Sequence, residues 1–368
     1  YFFLDQWGAW TCLVKPVSDA ARTATCFDGQ QWQTIELSID QVYNGSTLQA
    51  ADSSDDVIAG MVPGNGGGVW VWRDAVWAQR TGQYYDYESR VVVTADGDYM
   101  TVGGFGSGEI DLAATPAFDD SLTAASGLSI YARTAWPLGH NKVLVGTTDY
   151  SATPPSYGLM EIDMTTRPAT TRTLAPGAPS YIEDRMWAGS DANAVVTVPH
   201  APAVPTIDVW NGSMWRKFTL PAPTGTQYCQ IKEVAVTAAS NIVASGYCYG
   251  TTWDEFIWRF DGATWTELWH ETVQSGVTNN WSLWQSPSGD IYASGGSYLA
   301  PGVTMRWRAG TWTTLAQGLG NKVAGIDDNN VYVLRTTGST SKLWHFNGSS
   351  FAEIRLPPRS WCPRRTTS

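Results

Sequence analysis

The sequence predicts an all-β protein, a β-propeller of eight four-stranded blades with essentially no helix. Three observations predict it. An aromatic hairpin motif recurs along the chain, its copies lie about 45 residues apart, and no ten-residue stretch carries a helical 3.6-residue period. The 368 residues include 20 Trp, 36 Gly and 19 Pro.

Six segments share two aromatics five positions apart around a turn. They are FDGQQW (Phe27 to Trp32), WRDAVW (Trp72 to Trp77), WNGSMW (Trp210 to Trp215), FDGATW (Phe260 to Trp265), WRAGTW (Trp307 to Trp312) and FNGSSF (Phe346 to Phe351). Alternating apolar residues lead into each turn and out of it, most clearly in FIWRFDGATWTEL (Phe256 to Leu268). Asp-Gly and Asn-Gly between such runs signal a hairpin, because these residues accept the positive φ of a tight turn.

The second aromatic of each copy counts the units. Trp32 to Trp77 is 45 residues, Trp215 to Trp265 is 50, Trp265 to Trp312 is 47 and Trp312 to Phe351 is 39. Trp77 to Trp215 is 138, three times 46, so two degenerate units are expected in that gap. Their candidates are Ser89 to Ala113, and Leu128 to Asp149 followed by YGLMEIDMT. Seven blades is the alternative count. A second hairpin with a polar turn precedes the aromatic one, as in EVAVTAASNIVASG, SLWQSPSGDIYASGG and VAGIDDNNVYVL. Labelled A to D, four antiparallel strands in about 45 residues make the period of a propeller blade. The ring is expected to span residues 1–357 as a single domain, with a tail at 358–368. FFLDQW supplies the first A strand and SFAEIRL the last D strand, so closure needs no blade shared between the termini.

A glycine doublet after strand B (Gly103-Gly104, Gly295-Gly296), then an aromatic, then the D-strand Trp, resembles the kelch or galactose-oxidase type of propeller repeat. The pattern is also similar to degenerate Asp-Gly, Trp propellers of secreted bacterial proteins. The resemblance implies the fold and leaves the activity open, since propellers host lectins, enzymes and scaffolds alike.

Composition narrows the function. The balance of 23 Lys+Arg against 34 Asp+Glu gives a net charge of −11, which disfavours nucleic acid as a partner. No apolar run reaches the roughly 18 residues of a membrane helix, so membrane insertion is not expected. The chain opens on Tyr1 without Met or an apolar leader, and with few Lys and five Cys it reads as secreted, extracellular or periplasmic. No Cys pair has the C-x-x-C spacing of a metal or dithiol site. Cys229 and Cys248 stand opposite each other about a hairpin centre near 238 or 239, and Cys12 and Cys26 are symmetric about residue 19. Both are disulfide candidates, which leaves Cys362 for an intermolecular bond. In the competing pairing Cys362 joins Cys12 or Cys26 and clamps the ring.

The search for chemistry gives no catalytic residue, metal or cofactor. His345 lies mid-strand where other copies carry Arg259, Arg306 and Val71; His140 falls in a turn, and His200 and His270 are read as loop residues. The acidic groups Asp52 to Asp56, Asp96 to Asp98 and Asp327 to Asn330 lack the spacing of a calcium loop and read as turns. Asn211-Gly212 and Asn347-Gly348, although within sequons, read first as hairpin turns. A glycosidase needs two carboxylates facing one bond, and Glu88, Glu183, Asp184, Glu233, Asp254 and Glu255 are the positional candidates, with no pair distinguished. The balance is against an enzyme.

The loop face remains. The D–A and B–C connections share one end of a propeller, and here they are long and aromatic. Tyr84, Tyr85, Tyr87, Tyr150, Tyr157, Tyr249, Trp253 and Tyr298 are the candidate ligand-binding rings and are expected to be exposed. The C–D tryptophans, Trp32, Trp77, Trp215, Trp265 and Trp312, are expected to be mostly buried. The resulting expectation is a non-enzymatic recognition module for a glycan or an extracellular surface protein. A structural subunit of an extracellular assembly, joined through the C-terminal tail, is one alternative; a carbohydrate-active enzyme is the other.

Overall fold

In the computed structural model the strands of residues 4–121 are described by their backbone pairing. From there the structure describes residues 130–138, 141–149, 151–166, 170–180, 182, 185–189, 192–200, 202, 204–273, 281–296, 302–337 and 340–354. All regular elements among the described residues are β-strands. The first half contains β1 (Leu4–Trp7), β2 (Trp10–Lys15), β3 (Thr23–Phe27), β4 (Trp32–Glu36), β5 (Thr47–Ala50), β6 (Ile58–Val62), β7 (Gly68–Arg73), β8 (Val76–Gln79), β9 (Arg90–Val93), β10 (Tyr99–Val102), β11 (Asp111–Ala113) and β12 (Phe118–Ser121). Next come β13 (Ile130–Leu138), β14 (Lys142–Asp149), β15 (Ser156–Asp163), β16 (Thr170–Pro176), β17 (Met186–Ala188), β18 (Val195–Thr197), β19 (Thr206–Trp210) and β20 (Trp215–Thr219). The last are β21 (Tyr228–Ala238), β22 (Asn241–Tyr249), β23 (Trp253–Phe260), β24 (Trp265–Val273), β25 (Ser282–Gln285), β26 (Ile291–Gly295), β27 (Val303–Arg308), β28 (Thr311–Gln317), β29 (Lys322–Asp327), β30 (Asn330–Thr337), β31 (Thr340–Phe346) and β32 (Phe351–Ile354).

Every sheet has four antiparallel strands, consecutive in sequence, from β1–β4 to β29–β32. Among the described residues the sheet β1–β4 and the sheet β29–β32 each consist of strands consecutive in sequence. The first strands of successive sheets are neighbours: β13 lies beside β17, β17 beside β21, β21 beside β25 and β25 beside β29. Each sheet then packs face to face on the next, which is a β-propeller. The strands described between Trp77 and Trp215 include the sheets β9–β12 and β13–β16.

The turn chemistry explains why the aromatic hairpins form. Asn211 Oδ1 accepts the backbone N–H of Ser213 and Met214, Asp261 Oδ1 those of Ala263 and Thr264, and Asn347 Oδ1 those of Ser349 and Ser350. The glycine after each acid or amide carries the positive φ that such a turn requires, +98° at Gly262. In the copy without Asn or Asp, Ala309 and Gly310 take φ of +49° and +87°, as a tight two-residue loop demands. Asp327 Oδ1 likewise accepts the N–H of Asn329 in the β29–β30 turn.

The turn aromatics fasten one sheet to the one before it. Trp265 packs with Phe260 and reaches Val196, Ile207 and Leu220 of the preceding sheet. Trp215 joins Leu144 and Leu159, Trp312 joins Val243 and Ile257, and Phe351 joins Tyr292. Trp265 is 8 % exposed, whereas Trp215 and Trp312 are half-buried, so the expected burial is met fully by Trp265 alone of these three. All three stand at the start of the outermost strand of their sheet, so the difference lies in what packs over each ring and not in its place in the strand order. Trp32 and Trp77 lie outside the described side chains.

Candidate functional site

The sheet β21–β24 brings together the largest share of the candidate residues. In its register Tyr228 stands opposite Tyr249 and Cys229 opposite Cys248. Side chains alternate along a strand, so if the two cysteines face one side, their flanking residues face the other. Cys229 and Cys248 form a disulfide between strands β21 and β22 and belong to the core shared with β17–β20. On the opposite face Tyr228, Gln230, Tyr247 and Tyr249 line up with Trp253 at the start of β23.

These rings touch one another. Tyr247 stacks on Trp253 with centroids 5.2 Å apart, Tyr249 meets Trp253 at 4.9 Å, and Tyr228 meets Tyr249 at 5.5 Å and Tyr247 at 6.2 Å. All four are half-buried. The Tyr247 hydroxyl donates to Gln230 Oε1 at 2.8 Å. Burial, with Tyr228 beside it, holds the Tyr247 hydroxyl above the ordinary tyrosine range. Deeper on the same face Ser245 Oγ donates to the Trp281 carbonyl, and Trp281 Nε1 donates to Glu255 Oε2 at 3.1 Å. The ring cluster therefore caps the seam between β21–β24 and β25–β28, at the end where β22 turns into β23.

A β-bulge shapes the inner edge of the cluster. Ile231 pairs with Gly246 and Glu233 with Ser245, which leaves Lys232 as the extra residue outside the ladder. Its ammonium lies 5.3 Å above the centre of the Tyr247 ring. Arg185, just before β17, donates through Nη1 to the Ile231 carbonyl at 3.0 Å. Burial, and then the Arg185 charge, pull the Lys232 ammonium below the ordinary lysine range. Gly246 is required opposite the bulge, because a Cβ there would stand 2.4 Å from the Gln230 carbonyl oxygen.

Asp254 and Glu255, both candidates for a carboxylate pair, point to opposite faces of β23. Asp254 accepts from Thr252 and Thr272 and contacts His270 Nε2 at 3.1 Å. Its side chain is 7 % exposed. Burial pushes its carboxyl up, but the hydrogen bonds from Thr252, Thr272 and His270 outweigh it and hold the group below the ordinary value of 3.8. Glu233 pairs with Lys322 at 3.0 Å. Glu88, Glu183 and Asp184 lie outside the described residues.

Some expectations need correction. His270 is not a loop residue: it lies in β24, opposite Phe256, and its ring stacks on that phenyl at 4.6 Å. Tyr157 is likewise in a strand, β15, half-buried against the core of Leu138 and Ile182, away from the ring cluster. Tyr249 and Trp253, expected among the more exposed rings, end and begin strands and are half-buried. Each packs on its ring neighbours, which removes part of its surface from water. Tyr84, Tyr85, Tyr87, Tyr150, Tyr298 and Cys362 lie outside the described residues. The backbone register sets Cys12 opposite Cys26; their side chains are not described.

Sequence reading confined to loops missed Tyr228, Gln230, Lys232 and Tyr247, which stand in strands. The signal was available in Tyr228-Cys229-Gln230 and Tyr247-Cys248-Tyr249, where the cysteine pair fixes one face and so assigns its neighbours to the other.

No family model and no curated protein matches the chain. Solved structures do share its fold. A puromycin-hydrolysing peptidase of Mycobacterium tuberculosis superposes with a TM-score of 0.51 at 11 % identity, over 95 % of this chain and 53 % of that one. This chain thus spans about half the length of that peptidase. An ulvan lyase from a polysaccharide-lyase family superposes with a TM-score of 0.51 at 12 % identity, over 95 % of this chain and 92 % of the other. The β-propeller domain of the Trilobed protease from Pyrococcus furiosus gives 0.46 at 13 % identity, over 96 % and 97 %. Identities this low speak for the fold alone, and it is the peptidase and lyase superpositions that do so. The chain is a β-propeller.

Proposed function

We propose that this chain is an eight-bladed propeller acting as a secreted recognition module for a glycan, bound at the loop end of the β21–β24 sheet. The observation that carries the reading is the cluster of Tyr228, Tyr247, Tyr249 and Trp253. Aromatic rings with polar edges, half-open at a seam between sheets, suit the apolar faces and hydroxyls of a sugar. The separation of Asp254 and Glu255 onto opposite faces speaks against a hydrolytic pair on this strand. Support for eight blades comes from β29 lying beside β1, β1 beside β5, β5 beside β9 and β9 beside β13. The disulfide fits an oxidising compartment, and no helix among the described residues is long and apolar enough to cross a membrane.

A glycan-array screen of the purified chain, repeated with Trp253→Ala and Tyr249→Ala, tests the proposal. Binding of a saccharide that both variants lose is the expected outcome. Binding that both variants retain in full would move the site elsewhere. A chain that binds no saccharide and assembles with a protein partner would replace this reading with the structural one.

A further inference from the structure

We infer that the saccharide taken by this site carries an anionic group, a carboxylate or a sulfate, received by Lys232 and Arg185. The inference rests on the glycan-binding reading and deepens it. The chain carries a net charge of −11, yet the inner edge of the ring cluster is positive. Lys232 sits over the Tyr247 ring at 5.3 Å, and Arg185 is held beside it through the Ile231 carbonyl. Neither cation is within ion-pair distance of a carboxylate among the described residues, a condition shared with Arg216, Arg259, Arg306 and Arg335 and not with Lys142, Arg172, Lys217, Arg308, Lys322 and Lys342. What distinguishes Lys232 and Arg185 is that they stand together at the ring cluster.

Lys232 is exposed and Arg185 half-buried; their like charges repel, and the pair persists because the fold places both there. The bulge leaves Lys232 no place in the ladder, and the Ile231 carbonyl anchors Arg185 beside it. The depressed basicity of Lys232 has the same origin, burial followed by the Arg185 charge. An incoming anion relieves that repulsion, so the site gains more from a charged ligand than an isolated surface lysine would. The geometry is also composite. The rings of Tyr249 and Trp253 offer the platform, Gln230 and the Tyr247 hydroxyl offer hydrogen bonds, and the two cations stand at the inner edge. A pyranose stacked on the platform would bring a carboxylate or sulfate toward Lys232.

Calorimetric titration of the disulfide-intact chain tests this, with four probes: oligogalacturonate, its fully methyl-esterified form, a sulfated galactan oligosaccharide, and a polyglutamate peptide. The expected result is binding of at least one acidic saccharide, weakened about tenfold or more by esterification, by Lys232→Met and by Arg185→Gln. Affinity should also fall as salt rises from about 0.05 to about 0.5 M. If the ester binds as well as the acid and Lys232→Met changes nothing while Trp253→Ala abolishes binding, the anion inference fails and the glycan reading stands. If polyglutamate binds and no saccharide does, both fail. A circular-dichroism melt of each variant verifies folding, and Lys232→Arg, which keeps the charge, should restore most of the affinity lost in Lys232→Met.

Discussion

At the turn end of the β21–β24 sheet, Trp265 is 8 % exposed and packs on Phe260, which in turn meets Phe218 of the preceding sheet at 4.6 Å. At the other end Trp253 is half-buried and packs on Tyr247 and Tyr249 of its own sheet. Both tryptophans begin a strand, and both indole N–H groups are shut off from solvent without an acceptor among the described residues. What separates them is what they pack on: a core shared with the preceding sheet for Trp265, and the tyrosines of its own sheet for Trp253. The same residue type thus holds the ring of sheets together at one end and leaves a surface at the other. Burial by a neighbour, rather than residue identity, marks which is which.

The largest effect expected from that contrast is on stability at the turn end. Trp265→Ala should cost about 3–5 kcal/mol, as large-to-small changes in a packed core do. Trp253→Ala should cost clearly less, because part of its surface is already in water. Urea unfolding of the two variants side by side measures this. Equal losses would break the comparison and make Trp253 another structural clasp.

Next in size is the disulfide that backs the ring cluster. Its two cysteines are 19 residues apart, and chain entropy alone assigns a closed loop of this size about 3 kcal/mol. Replacing both Cys229 and Cys248 with Ser should lower the melting temperature while leaving the Trp265 end packed. Because Tyr228 and Tyr249 flank the bridge, glycan binding should weaken too. A double variant that melts earlier but binds as the native chain would show that the strand pairing alone positions the rings.

The fold was legible in the sequence because its period is written in a narrow set of residue types suited to a tight turn and the aromatic after it. Gly262 and Gly310 carry positive φ, Asn211, Asp261 and Asn347 close their turns, and the D-strand aromatics follow at fixed distance. The Cys229–Cys248 pairing was legible for a similar reason, since a hairpin centre fixes which positions face each other. The site was legible only at its rim, in Tyr249 and Trp253. Lys232 was hidden because a bulge leaves no signature in composition, and Gly246, its structural counterpart, looks like any strand glycine. His270 was misread because WHETV lacks the alternation of the earlier part of its strand; a bulge between Ile257 and Trp258 breaks the register there. Local irregularities of pairing, which depend on the partner strand, are what one strand's sequence does not carry.

The smallest expected effect concerns the face behind the ring cluster, where Asp254 ties the Thr252 connection to β24. Its carboxyl titrates below the ordinary 3.8 in the folded chain, since the hydrogen bonds from Thr252, Thr272 and His270 outweigh the opposing effect of burial. A carboxylate with a depressed folded pKa contributes stability that is present above the unfolded value and is lost as pH falls through the folded one. The Asp254 contribution should therefore be whole at pH 5 and above and fade from about pH 4 downward. In Asp254→Asn the melting temperature should be lower than native at pH 7, and the gap should narrow as the native chain is acidified. Asp149, Asp163, Asp261 and Asp328 are depressed as well, so the native chain's total acid sensitivity does not isolate this group; the difference between native and variant does. If the gap stays constant from pH 7 to about pH 3, Asp254 is not held by its charge. The Thr252 connection, and with it the approach to Trp253, would then be fixed by the Gly250 N–H to Thr252 carbonyl bond of 2.9 Å instead.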